Sequence, residues 1–277
     1  MKIKQFLFAI AVVSLAIGFN SCKKNDESVT EEFETTFELS GDQAITDNLA
    51  EDVNDVFMEI AQDNNVAGNF APAPVTNIIP CATVTITPAS GFPKTIVIDF
   101  GVSCTHRGIT RSGKINIVLS DSVRRSGSTA IMTFTNYYVN FYKIEGTYTW
   151  TNTSTPGTRS WTRTTRNGKI TAPDNKYWLH EGDRTIVQTA GVSTPTIIDD
   201  IFSITGTHTI TNAVGRTRTI TVLEALQKKN ACANIDKGKV KVQGPSHYAT
   251  IDFGDGTCDN LATISIDGRA PRTFILR

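Results

Sequence analysis

Two polar segments of this 277-residue chain contain residue types that could do chemistry. Asp252, Asp255 and Asp259 surround a glycine-rich turn, and a hard cation such as Ca²⁺ needs several oxygen ligands of this kind. The run His180-Glu181-Gly182-Asp183 could contribute to an acid–base site. These acids have no identifiable nucleophile, however, and the four histidines lack the i, i+4 spacing of a helical metal motif. We therefore expect a hairpin turn and structural histidines, with no catalytic residue, metal or cofactor.

Four cysteines bracket two similar strand–turn–strand units. The first runs from Cys81-Ala82-Thr83-Val84 to Ile98-Asp99-Phe100-Gly101-Val102-Ser103-Cys104, and the second from Cys232-Ala233-Asn234-Ile235 to Ile251-Asp252-Phe253-Gly254-Asp255-Gly256-Thr257-Cys258. Four cysteines allow three pairings. Because equivalent positions should behave alike, we expect disulfides Cys81–Cys104 and Cys232–Cys258. Buried free thiols are the alternative, and a zinc site is disfavoured because no Cys-x-x-Cys spacing occurs.

A region rich in aromatic residues allows two interpretations. Aromatic side chains are ordinary core fillers in sheets, and we favour that role. If several of them instead faced solvent beside arginines, they would form a stacking platform for sugar rings. The residues of this possible ligand surface are Tyr137, Tyr138, Trp150, Trp161, Arg159, Arg163 and Arg166.

The first 21 residues have the form of an export signal. Lys2 and Lys4 precede an almost wholly apolar stretch from Phe6 to Ile17, which at about 21 Å is too short to span a bilayer core of about 30 Å. The segment resembles a lipoprotein signal peptide, in which Cys22 would be diacylated and become the mature N-terminus, although Phe19 replaces the usual Leu. We predict a signal peptide at 1–21, followed by an acidic flexible tether at 22–40.

Charge is distributed unevenly along the chain, although the formal net charge is zero. From Asn25 to Pro93 there are thirteen Asp or Glu and no Lys or Arg, whereas from Lys94 to Arg277 there are twenty-three Lys or Arg against fourteen acids. We favour docking of the acidic segment on the basic body. The alternative is that the arginine-rich surface meets an anionic partner, such as an acidic glycan or a lipid headgroup. Nucleic acid is not expected as a partner of an exported protein.

One amphipathic helix is predicted before the strands. Ser40-Gly41-Asp42-Gln43 has the capping-box form, so the helix is expected at about 41–64. Its apolar stripe should pack on the sheet, because no other surface of the chain is available. The members of that stripe are Ile45, Leu49, Val53, Val56, Phe57 and Ile60.

From Cys81 onward, alternating strands and turn signals predict a mainly β fold. We expect about twelve strands in an antiparallel twisted sheet or two-layer sandwich, within a single domain at 41–277. Arg166-Asn167-Gly168-Lys169 predicts a hairpin with a type I′ turn, and Leu223 to Lys229 a second helical turn. A repeat pairs the segment 144–152 with 204–212 and places His208 where Tyr148 stands, so we expect a half-buried His208.

Several of these motifs also carry a resemblance. The Ile-Asp-Phe-Gly…Cys units, Asn136-Tyr137-Tyr138-Val139-Asn140 and Lys143-Ile144-Glu145-Gly146-Thr147 look like an uncharacterised group of Bacteroidota lipoproteins. Lys23-Lys24-Asn25-Asp26-Glu27 also resembles the export tag of surface-exposed lipoproteins of that phylum. The resemblance implies an outer-membrane lipoprotein at the cell surface with a β-rich fold, and it brings no known activity.

Together these features predict a lipid-anchored envelope protein that is not an enzyme. Our leading hypothesis is a non-catalytic surface binding or adhesion module for an anionic or carbohydrate ligand. The runner-up is an open-barrel-like lipid-binding carrier, an analogy based on a helix laid across a long meander of strands.

Overall fold

The computed structural model describes residues 28–63, 79–194 and 196–276, which form one helix and fourteen strands. The elements are α1 (Val29–Asp63), β1 (Thr83–Thr87), β2 (Lys94–Asp99), β3 (Cys104–His106), β4 (Ile109–Leu119), β5 (Thr129–Val139), β6 (Tyr142–Asn152), β7 (Ser160–Thr171), β8 (Tyr177–Ala190), β9 (Ile201–Asn212), β10 (Thr217–Lys229), β11 (Lys237–Gln243), β12 (Tyr248–Asp255), β13 (Leu261–Ile266) and β14 (Arg272–Ile275).

The strands form one antiparallel sheet in which neighbours in sequence are neighbours in space. The order is β1-β2-β4-β5-β6-β7-β8-β9-β10-β11-β12-β13-β14, and β3 pairs with β4 outside this path. The mainly β antiparallel fold expected from the sequence is confirmed, with fourteen strands instead of about twelve. Successive connections alternate between the two ends of the sheet. We call the end with the β5–β6, β7–β8 and β9–β10 turns the upper rim, and the end with the β4–β5, β6–β7 and β8–β9 loops the lower rim.

Irregular strand pairing bends this sheet. The register shifts at Gly113 of β4, Gly146 of β6 and Gly238 of β11, three glycines with positive φ. A β-bulge of this kind adds a residue to one strand, bends it and increases its twist. Basic side chains from β4, β7, β8 and β10 all reach the same helix, so the sheet curls around α1.

Helix α1 begins twelve residues earlier than the sequence analysis predicted, at Val29 instead of residue 41. Ser28-Val29-Thr30-Glu31 is also a capping box: the Glu31 N–H donates to Ser28 Oγ at 3.2 Å, and the Ser28 N–H donates to the Glu31 carboxylate. Ser40, the expected cap, lies inside the helix and donates to the Thr36 carbonyl. The flexible tether at 22–40 is therefore wrong from Val29 onward, whereas residues 22–27 and the signal peptide at 1–21 lie outside the described residues.

The central turns of the helix are enclosed on every side, because residues 39–54 are all buried. The predicted apolar stripe, from Ile45 to Ile60, is part of the hydrophobic core as expected. An amphipathic helix ordinarily turns its charged side to solvent, but here that side is covered as well. Such burial is tolerable only if the acids find cationic partners.

Two local predictions fail because strand pairing overrides turn propensity. Strand β7 continues through Arg166-Asn167-Gly168-Lys169, and its register against β8 shifts between Thr165 and Gly168. The positive φ of Asn167, 51°, is therefore used in a bulge and not in a hairpin turn. The predicted helical turn at Leu223–Lys229 belongs to β10, where strands pair on both sides.

The two repeats of the sequence have clear structural counterparts. Disulfides join Cys81 to Cys104 and Cys232 to Cys258, as the first repeat predicted. In the second repeat, Tyr148 and His208 both point into the core; His208 is 6% exposed, more buried than expected. The repeated glycines, Gly146 and Gly206, both have positive φ where two strands approach closely.

Candidate functional site

The aromatic and arginine residues proposed as a ligand platform do not share one surface. Tyr137, Trp150, Trp161 and Arg163 are buried on the face of the sheet that α1 covers. Tyr138 and Arg166 occupy alternate positions on the opposite face, the first half-buried and the second exposed. Because side chains alternate between the two faces of a strand, the seven residues cannot form one stacking platform.

Arg163 shows where the expected arginine–aromatic contact occurs. Its guanidinium lies over the Trp150 ring at 5.5 Å, but inside the molecule, and its Nη1 donates to Glu51 Oε1 of α1 at 2.6 Å. This contact belongs to a row of buried ion pairs between the sheet and the helix. The row comprises Arg111–Asp52, Arg163–Glu51, Arg184–Asp47 and Lys228–Asp55. The expected docking of the acidic segment on the basic body is thus observed in the interior.

Burial disfavours ionisation of two helix acids at the end of this row, Asp55 and Glu59. Loss of hydration raises the pKa of Asp55 to about 6, although the Lys228 ammonium at 2.7 Å acts in the opposite direction. Burial likewise raises the pKa of Glu59 to about 7, against the influence of the Arg107 guanidinium. These contacts hold α1 against the sheet.

Two histidines contact each other in the core, close to Arg163 and Arg184 of this row of ion pairs. His180 Nδ1 and His208 Nε2 lie 3.1 Å apart, and both side chains are buried. Burial lowers the pKa of His180 to about 3, and it lowers the pKa of His208 as well. A neutral, hydrogen-bonded pair in the core is a structural feature, which agrees with the structural role expected for these histidines.

The aspartates considered as calcium ligands serve their own turns. The Asp252 carboxylate accepts from the Gly254 N–H, that of Asp255 from the Thr257 N–H, and that of Asp259 from the Leu261 N–H. Within residues 28–63, 79–194 and 196–276 they form no group that could hold a metal ion. The grouping of Cys232, Asp236 and Cys258 has its two sulfurs joined in a disulfide, so they are not thiolate ligands.

A pocket at the lower rim brings together two of the predicted surface residues, Trp161 and Arg159. Its volume is about 260 Å³, a size suited to a small ligand or to a single unit of a larger ligand. Hydroxyl groups and cationic groups share its wall. The lining includes Arg124, Asn152, Ser154, Thr158, Arg159 and Trp161.

Loop contacts place Arg124 and Arg159 beside each other at this pocket. Asn152, the last residue of β6, donates from Nδ2 to the Val123 carbonyl at 2.7 Å and so fixes the loop that carries Arg124. Arg159 precedes β7, its carbonyl accepts from the Gln188 N–H of β8, and its Nη1 donates to Gln188 Oε1 at 3.3 Å. Burial and the nearby Arg159 charge lower the pKa of Arg124 to about 10. An anion bound between the two guanidinium groups would relieve their repulsion.

Trp161 also lines this pocket. Its side chain is 4% exposed, packs edge-on against Phe202, and has an indole N–H with no acceptor among the described residues. A buried donor without an acceptor costs about 1–3 kcal/mol. The pocket therefore presents donors and positive charge, the requirements of an anionic group.

Asp200 modulates the charge of this pocket. Its Oδ1 accepts from Gln188 Nε2 at 2.8 Å, so a chain of hydrogen bonds links it to Arg159. Burial and the neighbouring Asp199 raise the pKa of Asp200 to about 7, although the charges of Arg124 and Arg159 act in the opposite direction. Near neutral pH this carboxyl therefore exists in both its neutral and its anionic form.

Sequence reasoning missed Arg124, Asn152 and Asp200 in this site. The pair Arg124-Arg125 beside the Ser126-Gly127 turn was a local signal for a basic loop. No signal in the sequence placed that loop next to Trp161 or to Asp200. The contact depends on how the β4–β5, β6–β7 and β8–β9 connections meet at the lower rim.

Comparisons with known protein families, with curated proteins and with solved structures found no match to this chain. Among the described residues, α1 is the one helix, and it is not apolar enough to cross a membrane. Function is therefore inferred from the chain's own residues.

Proposed function

We propose that this chain is a lipid-anchored protein of the bacterial outer membrane, exposed at the cell surface, whose lower-rim pocket binds an anionic group. The anchor is Cys22, and support for it comes from the leader-like segment and from the resemblance to Bacteroidota lipoproteins. Binding is non-catalytic in this proposal, because Asp200 hydrogen-bonds to Gln188 and not to a nucleophile.

One observation carries the ligand class: Arg124 and Arg159 line the same pocket, close enough that the charge of Arg159 lowers the pKa of Arg124. Hydrogen bonds from charged donors to an anion contribute about 1.5–3 kcal/mol each. A carboxylate or sulfate group would meet two guanidinium groups here, and the surrounding Ser and Thr hydroxyls suit the hydroxyl groups of an acidic sugar. The lipid-carrier alternative has less support, because α1 occupies the face of the sheet where an acyl chain would lie.

Calorimetric titration with sodium glucuronate, sodium sulfate and neutral dextran tests the ligand class. We expect glucuronate and sulfate to bind and dextran to give no heat. Arg124→Gln and Arg159→Gln should each weaken glucuronate binding about tenfold or more, since each removes a charge-assisted hydrogen bond. Trp161→Phe keeps an aromatic ring in the pocket wall, and it should weaken binding by a smaller factor.

Arg125→Gln is the matched control, because Arg125 neighbours Arg124 but is exposed and paired with Asp121. Unchanged binding in this variant would confine the effect to the pocket. Equal losses in all the arginine variants would indicate general charge attraction and contradict the proposed pocket. Mass spectrometry of the membrane fraction tests the anchor separately, since it should find a diacylated Cys22.

A further inference from the structure

The four most exposed large apolar side chains of the described residues lie at the upper rim. Val102 is 98% exposed, Phe141 73%, Val214 71% and Val29 67%. Val102 lies in the β2–β3 turn, Phe141 in the β5–β6 turn and Val214 in the β9–β10 turn, while Val29 begins α1. Single exposed apolar residues are common on protein surfaces, and others lie at the lower rim, but none of those among the described residues is as exposed as these four.

These side chains form the tips of neighbouring hairpins. Val102 and Phe141 line one groove of about 540 Å³ together with Pro173 of the β7–β8 turn. Because adjacent strands lie about 4.8 Å apart, the β5–β6, β7–β8 and β9–β10 turns follow one another at about 10 Å. The upper rim therefore presents exposed apolar side chains at the β2–β3, β5–β6 and β9–β10 tips, with Pro173 and the charged Asp174 at the β7–β8 tip.

Phe141 combines exposure with an unfavourable backbone conformation. Its φ is 70°, a left-handed conformation that costs a residue other than glycine about 1–2 kcal/mol. Nothing in the core requires Phe at this tip, since the side chain is largely exposed. The two-residue hairpin turn accounts for the positive φ of Asn140 and Phe141, but it does not account for an exposed aromatic side chain, which a contact outside the folded chain would explain.

The start of α1 lies at this same rim. Glu31 pairs with Arg216 of the β9–β10 turn, and the Glu32 carboxylate accepts the N–H groups of Ser246 and His247 in the β11–β12 turn. Ser28 follows Cys22 by six positions, so an anchor at Cys22 lies within about 20 Å of the rim. A membrane that holds this anchor is therefore within reach of the hairpin tips.

We propose that the upper rim rests on the lipid bilayer that holds the anchor, with Val102, Phe141 and Val214 in the boundary between headgroups and acyl chains. This inference rests on the proposed lipidation of Cys22. Each tip buries apolar surface, and the anchor supplies the high local concentration that makes such weak contacts effective. The lower-rim pocket then faces away from the membrane, toward the medium.

Depth-dependent fluorescence quenching tests the contact. The acylated protein, purified from membranes, is reconstituted into phosphatidylethanolamine vesicles that contain dibrominated phosphatidylcholine. Phe141→Trp places a reporter at the upper rim, and Val192→Trp places a matched reporter at the lower rim, where Val192 is 37% exposed. Fluorescence of the unsubstituted protein is subtracted, because its three tryptophans are buried.

We expect the brominated lipid to lower the reporter signal of the Phe141→Trp variant about twofold, since insertion to about 5–10 Å brings the new indole ring close to the bromines. The reporter signal of the Val192→Trp variant should not change. Far-ultraviolet circular dichroism confirms that both variants are folded.

Co-sedimentation with vesicles distinguishes failure of the proposed rim contact from failure of the proposed lipid anchor. A Phe141→Trp variant that sediments with vesicles while its reporter is not quenched overturns the rim contact and leaves the anchor intact. A protein that lacks acylation and does not sediment contradicts the anchor, and with it the rim contact. Concentration-dependent shielding of the upper-rim reporter in detergent without vesicles would identify a second copy of the chain as the occupant and also overturn the proposal.

Discussion

Arg163 of β7 and Glu51 of α1 form a buried ion pair, with Nη1 of the arginine 2.6 Å from Oε1 of the glutamate and both side chains almost fully inaccessible. This pair joins the middle of the sheet to the middle of the helix. Its partners along α1, from Asp47 to Asp55, repeat the arrangement. The interface between helix and sheet is thus held by charge as well as by apolar contact.

Breaking one side of this pair should destabilise the protein strongly. Glu51→Gln leaves the Arg163 charge buried without its partner, so we expect a loss of about 3–5 kcal/mol in the free energy of unfolding. Urea denaturation measures this loss. Arg166→Gln is the control, because Arg166 and Asp183 are both exposed at 3.5 Å, and its effect should be within about 1 kcal/mol.

The double variant Glu51→Met with Arg163→Met distinguishes the contribution of the ion pair to stability from the cost of leaving one charge buried without its partner. It removes both charges and keeps similar volume, so its stability should exceed that of Glu51→Gln. A double variant less stable than the single one would contradict this account of the interface.

Anion binding should depend on pH through Asp200. Its pKa is raised to about 7, so the carboxyl is mostly neutral at pH 6 and mostly anionic at pH 8. The negative form offsets the charges of Arg124 and Arg159, and affinity for sulfate should therefore fall as pH rises through about 7. Calorimetry at pH 6 and pH 8 measures the change.

Asp200→Asn is the test variant for this pH dependence. It keeps a side chain that can accept from Gln188 and has no charge to titrate. Its sulfate affinity should be nearly constant between the two pH values and close to that of the native protein at pH 6. A pH dependence as large as in the native protein would exclude Asp200 as its source.

Each disulfide should contribute about 2–4 kcal/mol to stability. The bridges join residues 23 and 26 positions apart, so their effects on the unfolded chain should be similar. We expect the double variants Cys81→Ser with Cys104→Ser and Cys232→Ser with Cys258→Ser to lower the urea midpoint by similar amounts. In either variant reductant should lower the midpoint further by opening the remaining bridge, and no response to reductant would contradict the pairing.

The repeated glycines should be far less tolerant of substitution than a turn glycine. A Cβ on Gly206, whose φ is +124°, would lie 2.3 Å from the Asp183 carbonyl oxygen. Gly206→Ala should therefore cost more than the roughly 1–3 kcal/mol typical of backbone strain alone. Gly215→Ala, at φ +85° with no atom within 4 Å, should cost only about 1–2 kcal/mol. Equal losses in thermal denaturation would refute the steric argument.

Several features of this fold were predictable because they depend on local pattern. Alternating residues predicted the strands, the paired Cys units predicted both disulfides, and the charge asymmetry predicted that the acidic segment docks on the basic body. Each of these follows from periodicity or repetition, which does not require knowledge of distant neighbours.

The way these elements combine depends on contacts between residues that are distant in the sequence. Asn167-Gly168 became a bulge because β7 pairs with β8 on both sides of it, and Ser40 lies inside a helix because Arg216 and other groups of the upper rim hold its first turns. The pocket at Arg124, Arg159 and Trp161 exists because three connections converge at one rim. Strand order and curvature set these distances, and both arise from long-range pairing that a one-dimensional pattern does not contain.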